Sequence, residues 1–458
     1  MKTILLSAVA FAATICCLAQ SNAGGISAAM LKEIRAGYEG NATDKAIRNA
    51  LNVASINVLA ANAENAAMID THFSDEVKTL SVTDQKQSGR CWLFSGLNVL
   101  RAAAIREHGL ADDFQFSQNY CFFWDQLEKS NLFLQGIIDT RDKPLDDREV
   151  DWLFSHPLSD GGTFTGVADI IAKYGLVPAD AMTESLSSNN TAQMSARLKT
   201  ILRQDGMKLR SIRPKVKSAR EREAFLESQK TAMLKEIYHV LALCLGVPPV
   251  SFEWDGHSLT PQQFRDMMVG TDLCSDYIML MNDPSREYGK VYEIQYDRHL
   301  YDGHNWLYVN LSIERIKEMA IASIRGGEAM YFSCDVAKFL DRKKGVADLD
   351  NFDYESLLGV KYTMDKKERI ESHESGSSHA MTLKAVDIRD GVPQKWMVEN
   401  SWGKASGFKG NIIMTDKWFD EYMFRLVVNR KYVPEDILGL LAQKPILLPA
   451  WDPMFMDE

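Results

Sequence analysis

The sequence predicts an α+β protein, because helix-type and strand-type patterns occupy different parts of the chain. The first two thirds carry apolar residues at helical spacing, and the last third contains short apolar runs divided by Gly, Asp and Lys. Hydrophobic residues make up 46% and charged residues 25% of the 458 positions, which excludes disordered, collagen-like and membrane-embedded proteins. At about 150 residues per domain, the length allows two or three domains, or one domain with large insertions.

Residues 1–23 predict a secretory signal peptide. Lys2 gives the segment a positive start, and the apolar run 4–18 is too short to cross a bilayer. Ser21 and Ala23 are the small residues expected beside a signal-peptidase cleavage site. We therefore expect an exported protein, periplasmic or secreted, with no membrane attachment after cleavage. An uncleaved N-terminal anchor is the alternative.

The helical patterns come next along the chain. A polar loop over 81–89 precedes a helix that begins at or near Cys91, and a second helix is predicted over 116–138. A linker rich in Ser and Asn is predicted over 185–193, and 224–245 predicts an amphipathic helix. Strands are predicted in the last third, at 329–333, 380–387, 396–400, 411–415 and 426–429.

Charge is unevenly distributed. The chain has 52 basic and 62 acidic residues, and this net charge of -10 argues against a nucleic-acid partner. The segment 197–222 is nevertheless basic, with ten Lys and Arg residues against two acidic ones. We interpret it as a solvated helix face or as the lining of a chamber, rather than as a nucleic-acid site.

No metal or cofactor is predicted. The seven cysteines form no CxxC pair, and His373, Glu374 and His379 do not have the HExxH spacing of a zinc peptidase. Four cysteines beyond the leader lie in apolar surroundings that favour core packing over disulfides: Cys121, Cys244, Cys274 and Cys334.

Cys91 is the candidate nucleophile. It follows a Gly-containing turn at a predicted helix N-terminus, where backbone N–H groups and the helix dipole favour the thiolate. Gln85, six residues earlier, is a candidate donor to the oxyanion of the reaction, together with the backbone N–H of Cys91.

His379 is the candidate base, at the start of a predicted strand. Asn400 follows it and can orient the imidazole through a hydrogen bond. Trp402 can cover that bond and exclude water.

These residues, in this order, resemble the active site of the papain-like cysteine peptidases. In the papain group the His follows the Cys by about 130–150 residues, whereas here the gap is about 290, so the resemblance implies an insertion of about 150 residues. The finer resemblance is to the bleomycin hydrolase and aminopeptidase C subgroup. It rests on residues 88–94, 122–129, 138–142, 160–162, 173–178, 334–340 and 448–454.

The resemblance implies a papain-like fold with a helical half, a β-barrel-like half, a large helical insertion and a C-terminal tail in the cleft. It also implies a homohexamer with its active sites in an internal chamber. By this analogy Gly161 and Gly162 present backbone to a peptide substrate, and the terminal carboxylate of Glu458 binds the substrate ammonium group. The predicted segments are a signal peptide 1–23, a helical extension 24–80, a helical half 81–188, an inserted subdomain 189–300, a β-rich half 301–440 and a tail 441–458.

The predicted function is that of an exported cysteine aminopeptidase acting through Cys91, His379, Asn400 and Gln85. Two alternatives remain open: an endopeptidase whose altered tail leaves the cleft unblocked, and a catalytically silent binding protein on a peptidase scaffold. The chain departs from the subgroup at Thr163-Phe164, where Gln-Trp is usual, and in its acidic C-terminal tip. It also carries an export signal, whereas known members are mostly cytosolic.

Overall fold

The computed structural model describes residues 24–38, 40–65, 70–79, 81–213, 218–270 and 272–455. One large sheet carries helices, so the predicted α+β class is confirmed. The predicted signal peptide and Glu458 lie outside the described residues. In the part of the chain that is described, no helix has the length and apolar character needed to span a bilayer.

The α-helices are labelled α1 to α17 in chain order. They span Ala28–Ala36, Ala42–Leu51, Ile56–Ala60, Cys91–His108, Gln118–Asp139, Arg148–Ser155, Phe164–Tyr174, Leu186–Asn189, Ala192–Ser211, Ala219–Leu245, Pro261–Met268, Leu273–Asp276, Ile313–Arg325, Tyr354–Leu358, Lys366–Glu371, Asp416–Tyr422 and Glu435–Leu438. Short 3₁₀ helices lie at Ala179–Ala181, Leu349–Asn351, Arg430–Tyr432 and Gly439–Ala442.

The strands are labelled β1 to β14. They span Asp75–Glu76, Phe252–Trp254, His257–Leu259, Tyr277–Met281, Lys290–Ile294, Leu307–Asn310, Met330–Cys334, Leu340–Asp341, Val346–Ala347, His379–Arg389, Val392–Glu399, Asn411–Thr415, Met423–Asn429 and Ile446–Leu448. Twelve of them form one sheet in the order β14-β5-β6-β4-β13-β7-β10-β11-β12-β9-β8, with β1 on β10, and β2 pairs with β3.

Local sequence explains where the long helices begin. Ser117 caps α5 by accepting a hydrogen bond from the backbone of Tyr120 at 3.1 Å. Ser218 and Glu221 form a reciprocal capping box at the start of α10. Such caps supply partners for N–H groups that the first helical turn would leave unsatisfied.

Helix α4 lies in the interior and has no solvent-facing side in its first three turns. Every residue from Cys91 to Arg101 is buried. Its apolar residues join a core formed with α5, α7, α9 and α10, and β10 contacts it through Thr382, whose hydroxyl donates to Ser95 O at 3.3 Å. A second core fills the space between the sheet and the helices α13 and α16. The helix that begins with Cys91 is therefore part of the first core, and its contact with β10 joins that core to the sheet.

The predicted helices at Cys91, 116–138 and 224–245 and the five predicted strands are confirmed, with ends that differ by a few residues. The predicted linker at 185–193 is wrong in part. Ser185 caps a one-turn helix through a capping box with Ser188, since serine serves caps as readily as turns. Within the predicted insertion 189–300, β4 and β5 pair into the large sheet, and the proposed division into segments stays a prediction.

Candidate active site

Cys91 is the first residue of α4, at the end of a tightly bound loop. Arg90 occupies the N-cap position, and its buried guanidinium binds both carboxylate oxygens of Glu184 at 3.0 and 2.8 Å. Arg90 Nε also donates to Ser88 Oγ at 3.0 Å. A bidentate pair between a guanidinium and a carboxylate fixes the orientation of the two groups as well as the distance between them. The loop therefore delivers Cys91 in a defined position at the positive end of the helix dipole.

His379 and Asn400 lie at neighbouring ends of two paired strands. Strands β10 and β11 are antiparallel, with Thr382 opposite Glu399, so the start of β10 meets the residue that follows β11. His379 Nε2 lies 2.8 Å from Asn400 Oδ1, which also accepts from the backbone N–H of Ser401 at 2.8 Å. An amide oxygen only accepts, so Nε2 carries a proton and Nδ1 is the nitrogen left for proton transfer.

The contact between α4 and β10 relates Cys91 to His379. The hydrogen bond from Thr382 to Ser95 lies one helical turn beyond Cys91 and three residues beyond His379. The helix N-terminus and the start of the strand therefore lie at the same end of this interface. A thiolate–imidazolium pair needs its two side chains at such a shared end.

A buried ion pair strengthens the same interface further along the helix. Arg101 Nη2 of α4 lies 3.0 Å from Glu399 Oε1, and both side chains are almost fully buried. Burial raises the pKa of Glu399 although Arg101 opposes this, and burial lowers the pKa of Arg101. Because Glu399 directly precedes Asn400, the pair fixes the end of β11 to the nucleophile helix.

Gln85 is fixed at both ends of its amide. Its Nε2 donates to Ser88 O at 2.6 Å, and its Oε1 accepts from Ser401 Oγ at 2.6 Å. Its backbone N–H also donates to Ser401 O at 2.8 Å. A primary amide has two N–H groups, so one remains for the oxyanion role that the sequence predicts.

Trp402 covers the imidazole of His379, as expected from its position after Asn400. The ring centroids are 4.9 Å apart and the planes are inclined by 34°. The guanidinium of Arg342 lies 5.2 Å from the centroid of the Trp402 indole. Gly403 follows with φ of +79° and its N–H bound to Thr83 O, a left-handed conformation that favours glycine.

Gly161 and Gly162 lie in an extended segment between α6 and α7. Lys129 Nζ donates to Gly161 O, and Asp160, just before it, accepts from the backbone N–H of Gly89 at 2.8 Å. The bond from Gly89 attaches the predicted substrate segment to the loop that precedes Cys91, and the bond from Lys129 attaches it to α5.

A cleft of about 690 Å³ lies between the C-terminal segment and the residues around His379. Ser378 lines it on one side, and Trp451 and Phe455 line it on the other. Asp335, in the same wall, has a pKa raised by burial. The tail thus borders a cleft beside the predicted base, although Glu458 is outside the described residues.

The C-terminal segment is firmly attached to the sheet. Strand β14 pairs parallel with β5, and the carboxylate of Asp452 binds Arg286. Arg425 donates to the carbonyl of Met454 at 2.6 Å.

One side-chain group could hold a metal within the described ranges. Ligand atoms of Asp169, Cys274 and His304 lie within 4.8 Å of one another. Asp169 Oδ1 accepts from Cys274 Sγ at 3.4 Å and lies 2.7 Å from His304 Nδ1. Hydrogen bonds already satisfy these three groups, so the geometry does not require an ion. Cys274 is half-buried and packs against the first core, while its thiol contacts the Asp169 carboxylate, so the predicted core packing holds for part of this side chain.

The five cysteines in the described residues form no disulfide with one another, and Cys121 and Cys334 are buried as predicted. Three polar residues near the site were not identified from the sequence: Asp125, Lys129 and His299. His299 Nδ1 lies 2.5 Å from Asp125 Oδ1, across 174 positions of sequence. The sequence around either residue does not predict this pair, because Asp125 lies on a helix and His299 lies in a connection between two strands far along the chain.

Comparison with known proteins agrees with this geometry. The Peptidase C1-like family profile matches residues 25–455. Aminopeptidase C of Lactobacillus delbrueckii subsp. lactis is 40% identical over 401 residues, covering 84% of this chain and 88% of that protein. Bleomycin hydrolase of Homo sapiens is 40% identical over 392 residues, covering 81% and 85%.

A solved structure is similar over nearly the whole chain. The crystal structure of PepW from Lactobacillus rhamnosis HN001 superposes with a TM-score of 0.88 at 35% identity. The alignment covers 94% of this chain and 99% of that one. The similarity to PepW therefore covers nearly the whole fold and is not limited to the sequence motifs around Cys91, His379 and Asn400.

Proposed function

The chain belongs to the peptidase C1-like family, and on that premise we propose that it is an exported cysteine aminopeptidase. The observation that carries the proposal is the bond from His379 Nε2 to Asn400 Oδ1, at the end of the interface where α4 begins with Cys91. The relatives named aminopeptidase C and bleomycin hydrolase support the choice of reaction.

In the proposed acylation step, the Cys91 thiolate attacks the carbonyl carbon of the first peptide bond. The new C–S bond places negative charge on the carbonyl oxygen, which accepts hydrogen bonds from the Cys91 backbone N–H and the free N–H of Gln85. His379 gives the proton on Nδ1 to the amide nitrogen. The C–N bond then breaks, and the shortened peptide leaves as an amine.

In the proposed deacylation step, water replaces the departed peptide. His379 Nδ1 accepts a proton as the water oxygen attacks the thioester. Collapse of the tetrahedral intermediate breaks the C–S bond and releases the N-terminal amino acid. Asn400 keeps Nε2 protonated and the ring oriented through both steps.

The position of the C-terminal segment supports N-terminal trimming. Trp451 and Phe455 border the cleft next to Ser378, which directly precedes the proposed base. A chain end placed there would leave room for only a short part of the substrate on that side. We propose that the carboxylate of Glu458 binds the substrate ammonium group.

The test compares one peptide with a free N-terminus and the same peptide after N-acetylation. Time-resolved mass spectrometry should show stepwise loss of N-terminal residues from the free peptide and none from the capped one. Internal cuts in both would support the endopeptidase alternative. Replacement of Cys91 by Ala should abolish hydrolysis, and Cys244→Ala, at a half-buried thiol on α10, is the matched control.

Export and assembly belong to the same proposal. N-terminal sequencing of the protein recovered outside the cytoplasm should begin at Gly24. Light scattering of the mature chain should give the mass of a homohexamer. An uncleaved chain retained in the cytoplasm would contradict the proposed export, and a monomer would contradict the proposed hexamer. Neither result would affect the proposed reaction.

A further inference from the structure

His299 is buried beneath the predicted substrate segment, with both of its nitrogens engaged. Its Nδ1 lies 2.5 Å from Asp125 Oδ1 on α5. Its Nε2 lies 3.3 Å from the backbone nitrogen of Thr163, directly after Gly162. A backbone N–H only donates, so Nε2 accepts and Nδ1 carries the proton.

Two glycines make room for this imidazole. A Cβ atom at Gly162 would lie 2.1 Å from His299 Cε1, and one at Gly166 would lie 2.2 Å from Cε1 and Nδ1. Real Cβ atoms do not approach other atoms so closely, so any side chain at these positions would displace the ring. The substrate segment and the first turn of α7 therefore pack directly on His299.

The same ring contacts the residue that follows the nucleophile. The centroids of His299 and Trp92 are 4.6 Å apart with the planes inclined by 68°. Trp92 Nε1 donates to Asp160 O at 2.9 Å, just before the two glycines. One imidazole thus contacts both the helix of Cys91 and the segment expected to hold the peptide.

Lys129 completes the network from the other side. Its Nζ lies 3.1 Å from Asp125 Oδ2, donates to Ser159 O at 3.2 Å and also donates to Gly161 O. Burial acts to raise the pKa of Asp125, but Lys129 and His299 outweigh it, so the carboxylate stays ionised. Burial lowers the pKa of His299, and Lys129 adds to that effect, so the imidazole stays neutral.

We propose that His299 is a positioning residue for peptide binding, which it serves by holding the backbone at Gly162–Thr163 and the indole of Trp92 in one arrangement. This inference rests on the proposed peptidase function. Both ring nitrogens are hydrogen-bonded within the protein, so His299 takes no part in proton transfer. Its proposed effect is on the position of the protein segment that binds the substrate backbone.

Three substitutions distinguish the contributions of the two hydrogen bonds that His299 makes. His299→Gln keeps an acceptor near the position of Nε2, His299→Asn keeps a donor near that of Nδ1, and His299→Leu keeps neither. His239→Asn, at an exposed position on α10, is the matched control.

Steady-state hydrolysis of a free-N-terminus peptide is the functional readout. Loss of the bond to Thr163 in His299→Asn should raise KM about fivefold with kcat nearly unchanged, since a bond that positions the substrate acts before the chemical step. His299→Gln should restore much of the wild-type KM. A general loss of folding would instead lower the active fraction and leave KM of the remaining enzyme unchanged.

Hydrogen exchange at the Thr163 amide is the readout that does not depend on peptidase activity. His299→Asn and His299→Leu should speed exchange in a fragment covering 158–166, and the Gln variant should not. Unchanged exchange, or faster exchange with an unchanged KM, would overturn the proposal. A wild-type protein that hydrolyses no peptide would reject the proposed function, while the exchange rates would still decide whether His299 holds Thr163.

Discussion

Two buried histidines, one at the start of β10 and one in the connection between β5 and β6, have related surroundings and different uses. His379 bonds through Nε2 to the amide of Asn400 and lies under Trp402. His299 bonds through Nδ1 to the carboxylate of Asp125 and meets Trp92 edge-on. Each ring therefore has one oxygen partner and one indole neighbour.

The second ring nitrogen distinguishes them. His299 uses it to accept the N–H of Thr163, so both sides of the ring bind the protein itself. For His379, the proposed function assigns proton transfer to the second nitrogen, Nδ1. The neutral amide beside His379 orients the ring without holding the imidazolium by charge, whereas the ionised Asp125 stays paired with Lys129. Under the proposed function, the same side chain thus serves chemistry in one place and positioning in the other.

The largest expected effect is at His379. Its replacement by Gln should lower kcat/KM for a free peptide by roughly four orders of magnitude, because no other group can take and return the proton. Measured beside His299→Gln, the variant would separate chemistry from positioning. Hydrolysis at the wild-type rate by the His379 variant would contradict the assignment of His379 as the base. His239→Gln, the same substitution at an exposed histidine of α10, is the matched control and should keep the wild-type rate.

A second prediction concerns the ion pair that joins the two halves. Arg101→Met leaves the Glu399 carboxylate buried without its cation, and the free energy of unfolding should fall by about 3–5 kcal/mol. Urea denaturation measures the change. The double variant Arg101→Met, Glu399→Leu should recover most of the loss, since it removes the unpaired charge.

Arg106→Met, at the exposed end of α4, is the control for this pair. A double variant as unstable as the single one would show that the two side chains do not act together. The attachment of α4 to the sheet would then depend on apolar packing and on the other hydrogen bonds between them, such as that of Thr382 with Ser95.

The third prediction tests orientation of the reactive ring. Asn400→Ala should lower kcat roughly a hundredfold while the fold remains intact, because the imidazole keeps its chemistry and loses its fixed tautomer. Peptide turnover and circular dichroism together measure this. Asn52→Ala, at the exposed end of α2, should leave turnover unchanged. An equal fall in both variants would point to a general effect of losing an amide.

The smallest expected effect is in the pH dependence of stability at His299. Below its ordinary pKa of 6.5, the unfolded chain binds a proton at this side chain, whereas burial lowers the pKa in the folded protein. The unfolded state then binds more protons, so wild-type stability falls as the pH falls below 6.5. His299→Gln removes this contribution, which is at most about 1.4 kcal/mol for each pH unit.

Urea unfolding of both proteins between pH 5 and pH 7 checks this prediction. The stability difference between wild type and His299→Gln should shrink as the solution becomes more acidic. A difference that grows with acidity would mean that folding favours the protonated form of His299. The imidazole would then not be neutral in the folded protein.

Sequence was sufficient where the signals are local. Cys91 follows a Gly-containing turn, His379 begins an apolar strand, and Asn400 and Trp402 follow another, so the place of each on its helix or strand could be predicted from its neighbours. The strand segments were predicted for the same reason. Confirmation of the α+β class followed from these elements together.

Sequence was insufficient where distant segments meet. Asp125 lies in a helix with many apolar residues and His299 in a polar connection between β5 and β6, and only tertiary packing brings them together. Gly166 resembles any small residue in a helix until the ring beside it is known. The helix at Leu186–Asn189 was missed because Ser and Asn favour turns and helix caps alike.

Because β14 pairs with β5, and β10 lies between β7 and β11, the large sheet can be completed only by the last part of the chain. A ribosome delivers the N-terminus first, so α4 and its thiol emerge long before the strand that carries His379. Under the proposed function, a half-made chain has a nucleophile without a base. Under that function, proteolysis would begin only when translation is nearly finished, and the order of synthesis would protect the growing chain from its own activity.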